Sequence, residues 1–253
     1  MKRDDRRQRI LDELVREGSV QLDALAGAFG VSKMTIHRDL DDLEAEGLLR
    51  KIRGGASIEA GTQFESDFRF RQLQGHDAKE RMARAALALV EPGMTVIIND
   101  GSMAAMLGAM LTERRPLTVI TNNDAVIEAL KTEPGMTVIA LGGRYSAKYN
   151  AWIGRVTEEA LKGLRADLAF ISAPAVAGLQ AFHMDDDITR VKRRMMDCAE
   201  RSALLVNHAR FDRTALHVLA GLGEFAAVIT DAAPAPGAQA ALATAGIPLT
   251  IAT

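Results

Sequence analysis

Val31–Ala56, VSKMTIHRDLDDLEAEGLLRKIRGGA, reads as a turn, an amphipathic helix and a basic, glycine-ended hairpin. Ser32 suits the N-cap, since its hydroxyl can accept from the free amides of the first turn. Ile36, Leu40 and Leu43 fall at i, i+4 and i+7 and give the helix an apolar stripe to bury. Lys33, Met34, Thr35, His37 and Arg38 lie off that stripe near the helix start, and Gly47 ends the helix. A helix that hides one face and offers basic and polar groups at its N-terminal end is how a helix-turn-helix enters the major groove. Arg50-Lys51-Ile52-Arg53-Gly54-Gly55 is placed to form a wing along phosphates. The stretch predicts a unit that binds double-stranded DNA. Lys33, Thr35, His37 and Arg38 are its candidates for base edges and nearby phosphates, and Arg50, Lys51 and Arg53 for backbone contacts.

Upstream, residues 4–17 predict a helix with Ile10, Leu11, Leu14 and Val15 on one side, closed by Gly18. Leu22, Leu25, Ala26 and Phe29 mark a second helix ending at Gly30, and Val31 plugs the turn into the third. Residues 1–57 are therefore read as a winged helix-turn-helix domain. Downstream, 58–76 is polar with isolated aromatics at Phe64, Phe68 and Phe70, and reads as a linker. From residue 77 to 253, short apolar runs alternate with helices: 94–98, 117–122, 136–143, 166–173, 203–209 and 226–231. That alternation predicts a larger α/β domain with a mostly parallel sheet covered on both faces.

Composition sets the outer bounds. A chain of 253 residues suits one small and one larger domain, and 48% apolar residues with 7 prolines argue for packed structure. No apolar run approaches the roughly 20 residues of a membrane span. The start, MKRDDRRQRI, is charged and enters a helix directly, so a cytoplasmic location without signal peptide or membrane partner is expected. The single cysteine, Cys198, reads as a buried small hydrophobe in a reducing compartment. Net charge is −2, and the first 60 residues carry 12 acids against 11 bases, so any basic surface must be local. Its candidates are Arg3/Arg6/Arg7/Arg9, Lys33/Arg38 and Arg50/Lys51/Arg53.

In such sheets ligands sit beyond the carboxyl ends of strands. Those ends read Asn99-Asp100-Gly101-Ser102, Thr121-Asn122-Asn123-Asp124, Gly142-Gly143-Arg144-Tyr145 and Asn207-His208-Ala209-Arg210. The first two open helices, where free amides attract an anion and Gly101 allows close approach. The same residue types are also ordinary helix caps. Lys192 borders the stripe Ile188, Val191, Met195 and Ala199, placed either to enter a pocket or to snorkel to solvent. The five histidines are dispersed without metal spacing. No nucleophile elbow, Cys–His pair, acid–base carboxylate pair or nucleotide-binding fingerprint stands out, so no catalytic residue, metal or cofactor is predicted.

With these residues in view, the N-terminal part resembles DeoR-type bacterial transcriptional repressors in RRQRILDELVREG, TIHRDL, the LE-x-x-G helix end and the RGGA wing. The remainder resembles that family's effector domain, a ribose-phosphate-isomerase-like α/β fold. DAKERMA, INDGS, VITNN, LGGRY, AWIG, ADLAFI, VKRRMM, NHARFDR and VITD carry that likeness. The resemblance implies an oligomeric repressor of carbohydrate-metabolism genes that leaves its operator when a phosphorylated sugar or related metabolite binds. Carried over by position, it implies effector contacts from Asn99, Gly101, Ser102, Thr121, Asn122, Asn123, Gly143 and Lys192. The chain departs from the family pattern at Asn99 and Ile188, where acids are usual, and at Met103, where a hydroxyl is. Asn207-His208-Ala209-Arg210 stands where many members have aspartate-histidine-serine-lysine. These changes remove acceptors and hydroxyls and leave room for a different ligand or altered effector logic. The rival is a sugar-phosphate isomerase carrying a DNA-binding arm; an activator in place of a repressor is a further alternative.

Overall fold

The computed structural model describes residues 2–57 and 68–253, which form two compact units, Met1–Gln74 and Gly75–Thr253. In the first, α1 (Arg3–Glu17), β1 (Ser19–Gln21), α2 (Leu22–Phe29) and α3 (Lys33–Ala45) precede the wing strands β2 (Arg50–Ile52) and β3 (Gly55–Ser57). β3 lies between β1 and β2, antiparallel to both. A Cβ on Gly55 would sit 1.9 Å from the carbonyl oxygen of Val20, so only glycine lets the wing close against β1. Ile10, Leu14, Leu25, Ile36, Leu40, Leu43 and Leu49 form the core, with Val31 partly buried at its margin. A short helix α4 (Phe68–Leu73) belongs to this unit and adds Phe70 to that core. It falls in the stretch read as a linker; Phe64, like all of 58–67, lies outside the described residues.

The second unit runs α5 (His76–Leu87), β4 (Thr95–Ile98), α6 (Ser102–Met110), β5 (Leu117–Thr121), α7 (Asp124–Leu130), β6 (Met136–Ala140), β7 (Arg144–Ser146), β8 (Ala151–Ile153) and α8 (Arg155–Leu161). It continues with β9 (Ala166–Ser172), β10 (Ala175–Ala177), β11 (Gln180–His183), α9 (Asp186–Cys198), β12 (Ala199–Leu205), β13 (His217–Gly221), β14 (Ala227–Thr230), α10 (Pro236–Thr244) and β15 (Leu249–Ile251). Seven strands form one sheet in the order β15-β14-β12-β9-β4-β5-β6, with every neighbouring pair parallel. Ile97, Ile120, Ile171, Leu204 and Val228 from the strands pack with Leu161, Val191, Met195 and Leu242 from the helices.

From β4 the chain moves outward through β5 to β6. It then returns to lay β9 on the other side of β4 and runs outward again through β12, β14 and β15. The direction switches between β4 and β9, and the crevice at such a switch is where open parallel sheets take ligands. Two antiparallel additions, the β7–β8 hairpin and the sheet β10-β11-β13, fall where the sequence reading has no strands. Strands of three to five residues are too short for a period-2 pattern to register. Among the described residues no helix is long and apolar enough to cross a membrane.

Candidate DNA interface and effector site

The first-turn amide of Thr35 donates to Ser32 Oγ at 3.1 Å, so α3 starts where the sequence predicts. Ile36, Leu40 and Leu43 are buried, and Asp39 is buried with them. Asp39 accepts a two-pronged bond from Arg6 of α1, with Nη2 to Oδ1 at 3.0 Å and Nε on Oδ2. Arg3 pairs with Asp42 and Arg7 with Glu46 on the same side of α3. Three of the α1 arginines counted as possible basic surface are thus turned onto α3. The hydrogen bond to Asp39 holds the Arg6 guanidinium above its ordinary pKa.

The outer stripe of α3 is Met34, His37, Arg38 and Asp41, all exposed. Lys33 pairs with Asp23 of α2 at 2.8 Å, and the Thr35 hydroxyl lies 2.9 Å from Ser32 Oγ. The Lys51 ammonium sits on Asp41, 3.4 Å from His37 Nδ1, and its hydrogen bond holds the Asp41 carboxyl below its usual pKa. The Lys51 backbone amide donates to Glu44 Oε1 at 2.7 Å, which ties the wing to α3. Among the described residues Arg38, Arg50 and Arg53 make no ion pair.

At the carboxyl edge of the large sheet, Asn99, Asp100, Thr121, Asn122, Asn123 and Lys192 are all buried. Thr121 Oγ1 donates to the Ile98 carbonyl at 2.7 Å and accepts from the Asn123 amide at 3.0 Å. Asn123 Nδ2 donates to the carbonyls of Asn99 and Gly101, each at 3.1 Å, while its Oδ1 accepts from Ala125 N at 3.2 Å. Asn123 is therefore a brace that caps α7 from within. The start of α6 differs: no side chain caps it, yet Gly101 (φ 102°), Ser102, Met103 and Ala104 are buried. The first amides of a helix lack intrahelical acceptors, so this end concentrates donors suited to an anion.

Lys192 crosses to this edge from α9. Its Nζ donates to the Ser172 carbonyl at 2.9 Å and lies 3.4 Å from Asp100 Oδ1, with both side chains 2% exposed. The lysine points inward and does not snorkel. Asn99 Nδ2 donates to Ser172 Oγ at 3.2 Å and Asp100 Oδ1 at 3.4 Å, and Asn122 Nδ2 donates to the Trp152 carbonyl at 3.0 Å. Those acceptors fix both amides, since flipping either would set oxygen against oxygen. Asn99 Oδ1 and Asn122 Oδ1 are then buried acceptors with no donor among the described residues. Gly143 is packed against Thr157 and Ile153: a Cβ there would meet Thr157 Oγ1 at 2.3 Å.

Several residues of this edge went unread in the sequence. Asp100 looks like a helix cap but is the carboxylate that neutralises Lys192, whereas Ile188 packs with Tyr149, Ala151 and Ile153. Ser172 supplies a carbonyl and a hydroxyl at the end of β9. Asp231, after β14, accepts from the His208 amide at 2.7 Å and Asn207 Nδ2 at 2.8 Å, and lies 2.9 Å from His208 Nδ1. Burial alone would raise the Asp231 pKa, but the His208 amide and ring outweigh it and hold the carboxyl below its ordinary value. Two open hollows lie instead at the amino ends of the strands, lined by Arg193, Arg201 and Glu224 and by Thr95, Arg165 and Asp167. They are polar surface depressions remote from the Asn99–Lys192 cluster. Among the described residues no three His, Cys, Asp or Glu side chains are grouped to hold a metal ion.

Two family profiles match. The DeoR C terminal sensor domain covers residues 74–232, and the DeoR-like helix-turn-helix domain covers 6–61. The chain is similar to the L-fucose operon activator of Haemophilus influenzae, 31% identical over 223 residues, 88% of this chain and 89% of the relative. It is also similar to the glycerol-3-phosphate regulon repressor of Escherichia coli, 26% identical over 238 residues, 92% and 93% of the two chains. Ribose 5-phosphate isomerase A from Methanocaldococcus jannaschii aligns over 55% of each chain at 17% identity, with a TM-score of 0.40.

Proposed function

Because the chain belongs to the DeoR family of transcriptional regulators, we propose that it is a repressor of carbohydrate-metabolism genes relieved by a phosphorylated sugar or related metabolite. α3 enters the major groove of an operator half-site, and the β2–β3 wing lies along the backbone. Arg38, Arg50 and Arg53 are ready for phosphates or bases, while Lys33 and Lys51 exchange Asp23 and Asp41 for phosphate oxygens. Two copies in a cytoplasmic homo-oligomer would occupy half-sites about 34–36 Å apart or a multiple of that.

One observation carries the effector reading: the buried, uncapped start of α6 beside Lys192. Free amides and a lysine suit an anion, and the orphan oxygens of Asn99 and Asn122 suit hydroxyl donors of a sugar. The names of the two relatives support a carbohydrate link, and one being an activator and the other a repressor fits a sign set by operator position. The effector must favour the DNA-incompetent arrangement by its differential affinity for the two states. The isomerase reading is not favoured, because the family is one of transcription factors.

The test has two arms on the full chain. Thermal-shift measurements compare phosphorylated with unphosphorylated sugars, since a ligand that binds only the folded state raises Tm by mass action. A duplex selected from a randomised pool is then titrated with any stabilising ligand. A phosphorylated sugar that raises Tm and releases the duplex is expected. Stabilisation by unphosphorylated sugars alone overturns the effector reading, and failure to enrich any duplex overturns the DNA reading.

A further inference from the structure

We propose that Met34 reads thymine, packing its thioether side chain on the 5-methyl group of one thymine in each operator half-site. The inference rests on the DNA-binding reading and goes beyond it by naming a base and the residue that recognises it. Met34 lies in the first turn of α3 with 62% of its surface exposed, on the stripe that also holds His37, Arg38 and Asp41. N-terminal residues of a recognition helix are those that meet base edges.

Its neighbours narrow the choice of reader. Lys33 is held by Asp23, and the Thr35 hydroxyl is spent on Ser32 at the helix cap. His37 Nδ1 faces Lys51 and Asp41. Met34 therefore stands outermost in the first turn with nothing polar to offer. Singly exposed apolar side chains are ordinary on protein surfaces, so exposure alone decides nothing. Position decides it: the major groove displays hydrogen-bonding atoms and only one apolar group, the thymine methyl. An unbranched thioether with three rotatable bonds can reach and cover that methyl without a fixed approach angle.

The experiment selects a duplex from a randomised pool with the unaltered full-length protein, then replaces each thymine singly by deoxyuridine and measures affinity by fluorescence anisotropy. Removing a covered methyl should weaken binding on the order of three- to fivefold at one thymine per half-site. Met34→Ala should bind the thymine and deoxyuridine duplexes equally, with non-specific affinity and melting temperature unchanged. Alanine is the best helix former and the site is exposed, so the variant folds. A selected site without a recurring thymine overturns the assignment, as does indifference to deoxyuridine throughout. So does a deoxyuridine penalty that persists in Met34→Ala. If no duplex is enriched, it is the DNA-binding reading that falls.

Discussion

Replacing Arg6 by alanine would leave the Asp39 carboxylate charged, 2% exposed and without its two-pronged donor. Breaking a buried pair from one side costs about 3–5 kcal/mol, because the stranded ion keeps its desolvation penalty and loses its partner. Whole domains are stable by only about 5–15 kcal/mol, and small ones lie at the low end. At 1.4 kcal/mol per decade, the opening equilibrium of the first unit should rise by roughly two to three and a half orders of magnitude. Hydrogen exchange on the full chain measures this locally: amides of α1 and α3 should exchange faster by that factor, while those of β4, β9 and β12 keep their rates. Arg6→Met with Asp39→Leu removes both charges at similar volume, so most of the protection should return. Unchanged exchange in Arg6→Ala, or a double variant as unprotected as the single one, would mean that the Arg6–Asp39 pair does not hold the first unit together.

Arg53→Ala should weaken binding to all duplexes alike and lower the salt slope by about one unit, read from affinities over a range of salt; an unchanged slope removes Arg53 from the phosphates. Arg38→Ala should reduce affinity for the selected duplex more than for a random one, and equal losses would take it out of readout. Lys192→Met combined with Asp100→Asn, which strands neither charge, should keep the fold by circular dichroism and abolish release by a phosphorylated ligand. Retained release would unseat Lys192. The Asp231 carboxyl has a folded pKa below its ordinary value, so its contribution to stability is complete above about pH 4 and fades as pH falls through the folded value. Asp231→Asn should therefore lower the unfolding free energy read by urea titration at pH 7, by about 1–2 kcal/mol, and flatten its acid dependence; parallel acid curves would contradict this.

Local rules wrote α3 into the sequence: Ser32 caps it, Ile36, Leu40 and Leu43 bury it, and both signals come from neighbours in the chain. The alternation of strands and helices was legible for the same reason. Partners distant in sequence were not. Arg3, Arg6 and Arg7 look like basic surface until α3 presents Asp42, Asp39 and Glu46 to them. Lys192 borders its helix stripe, and only the folded position of Asp100 and the Ser172 carbonyl decides that it turns inward. The loop Thr121–Asp124 reads as a cap before a cradle, and in the fold Asn123 caps α7 and braces Asn99 and Gly101 while Asn122 Oδ1 is left without a donor among the described residues. The β7–β8 hairpin was invisible because its register rests on a cross-strand pair, Tyr145 with Trp152, that no periodicity encodes.

The departures at Asn99 and Ile188 take on a different sense in three dimensions. In the sequence they look like lost acceptors. In the fold Asn99 still carries a buried acceptor, its Oδ1, while its Nδ2 reaches Ser172 and Asp100. What is absent at these two positions is charge. An acid in place of Asn99 would add a negative group beside a site where Asp100 already balances Lys192. Like charges within a few ångströms disfavour an anion, and a low-dielectric interior strengthens the effect. Asn99 supplies a neutral amide at the edge where α6 starts, while Ile188 is buried against Tyr149, Ala151 and Ile153. On the effector reading proposed above, Asn99 offers a sugar hydroxyl its Oδ1 as acceptor without adding negative charge. Its ligand should therefore be recognised at least as much by its anionic end as by its sugar hydroxyls.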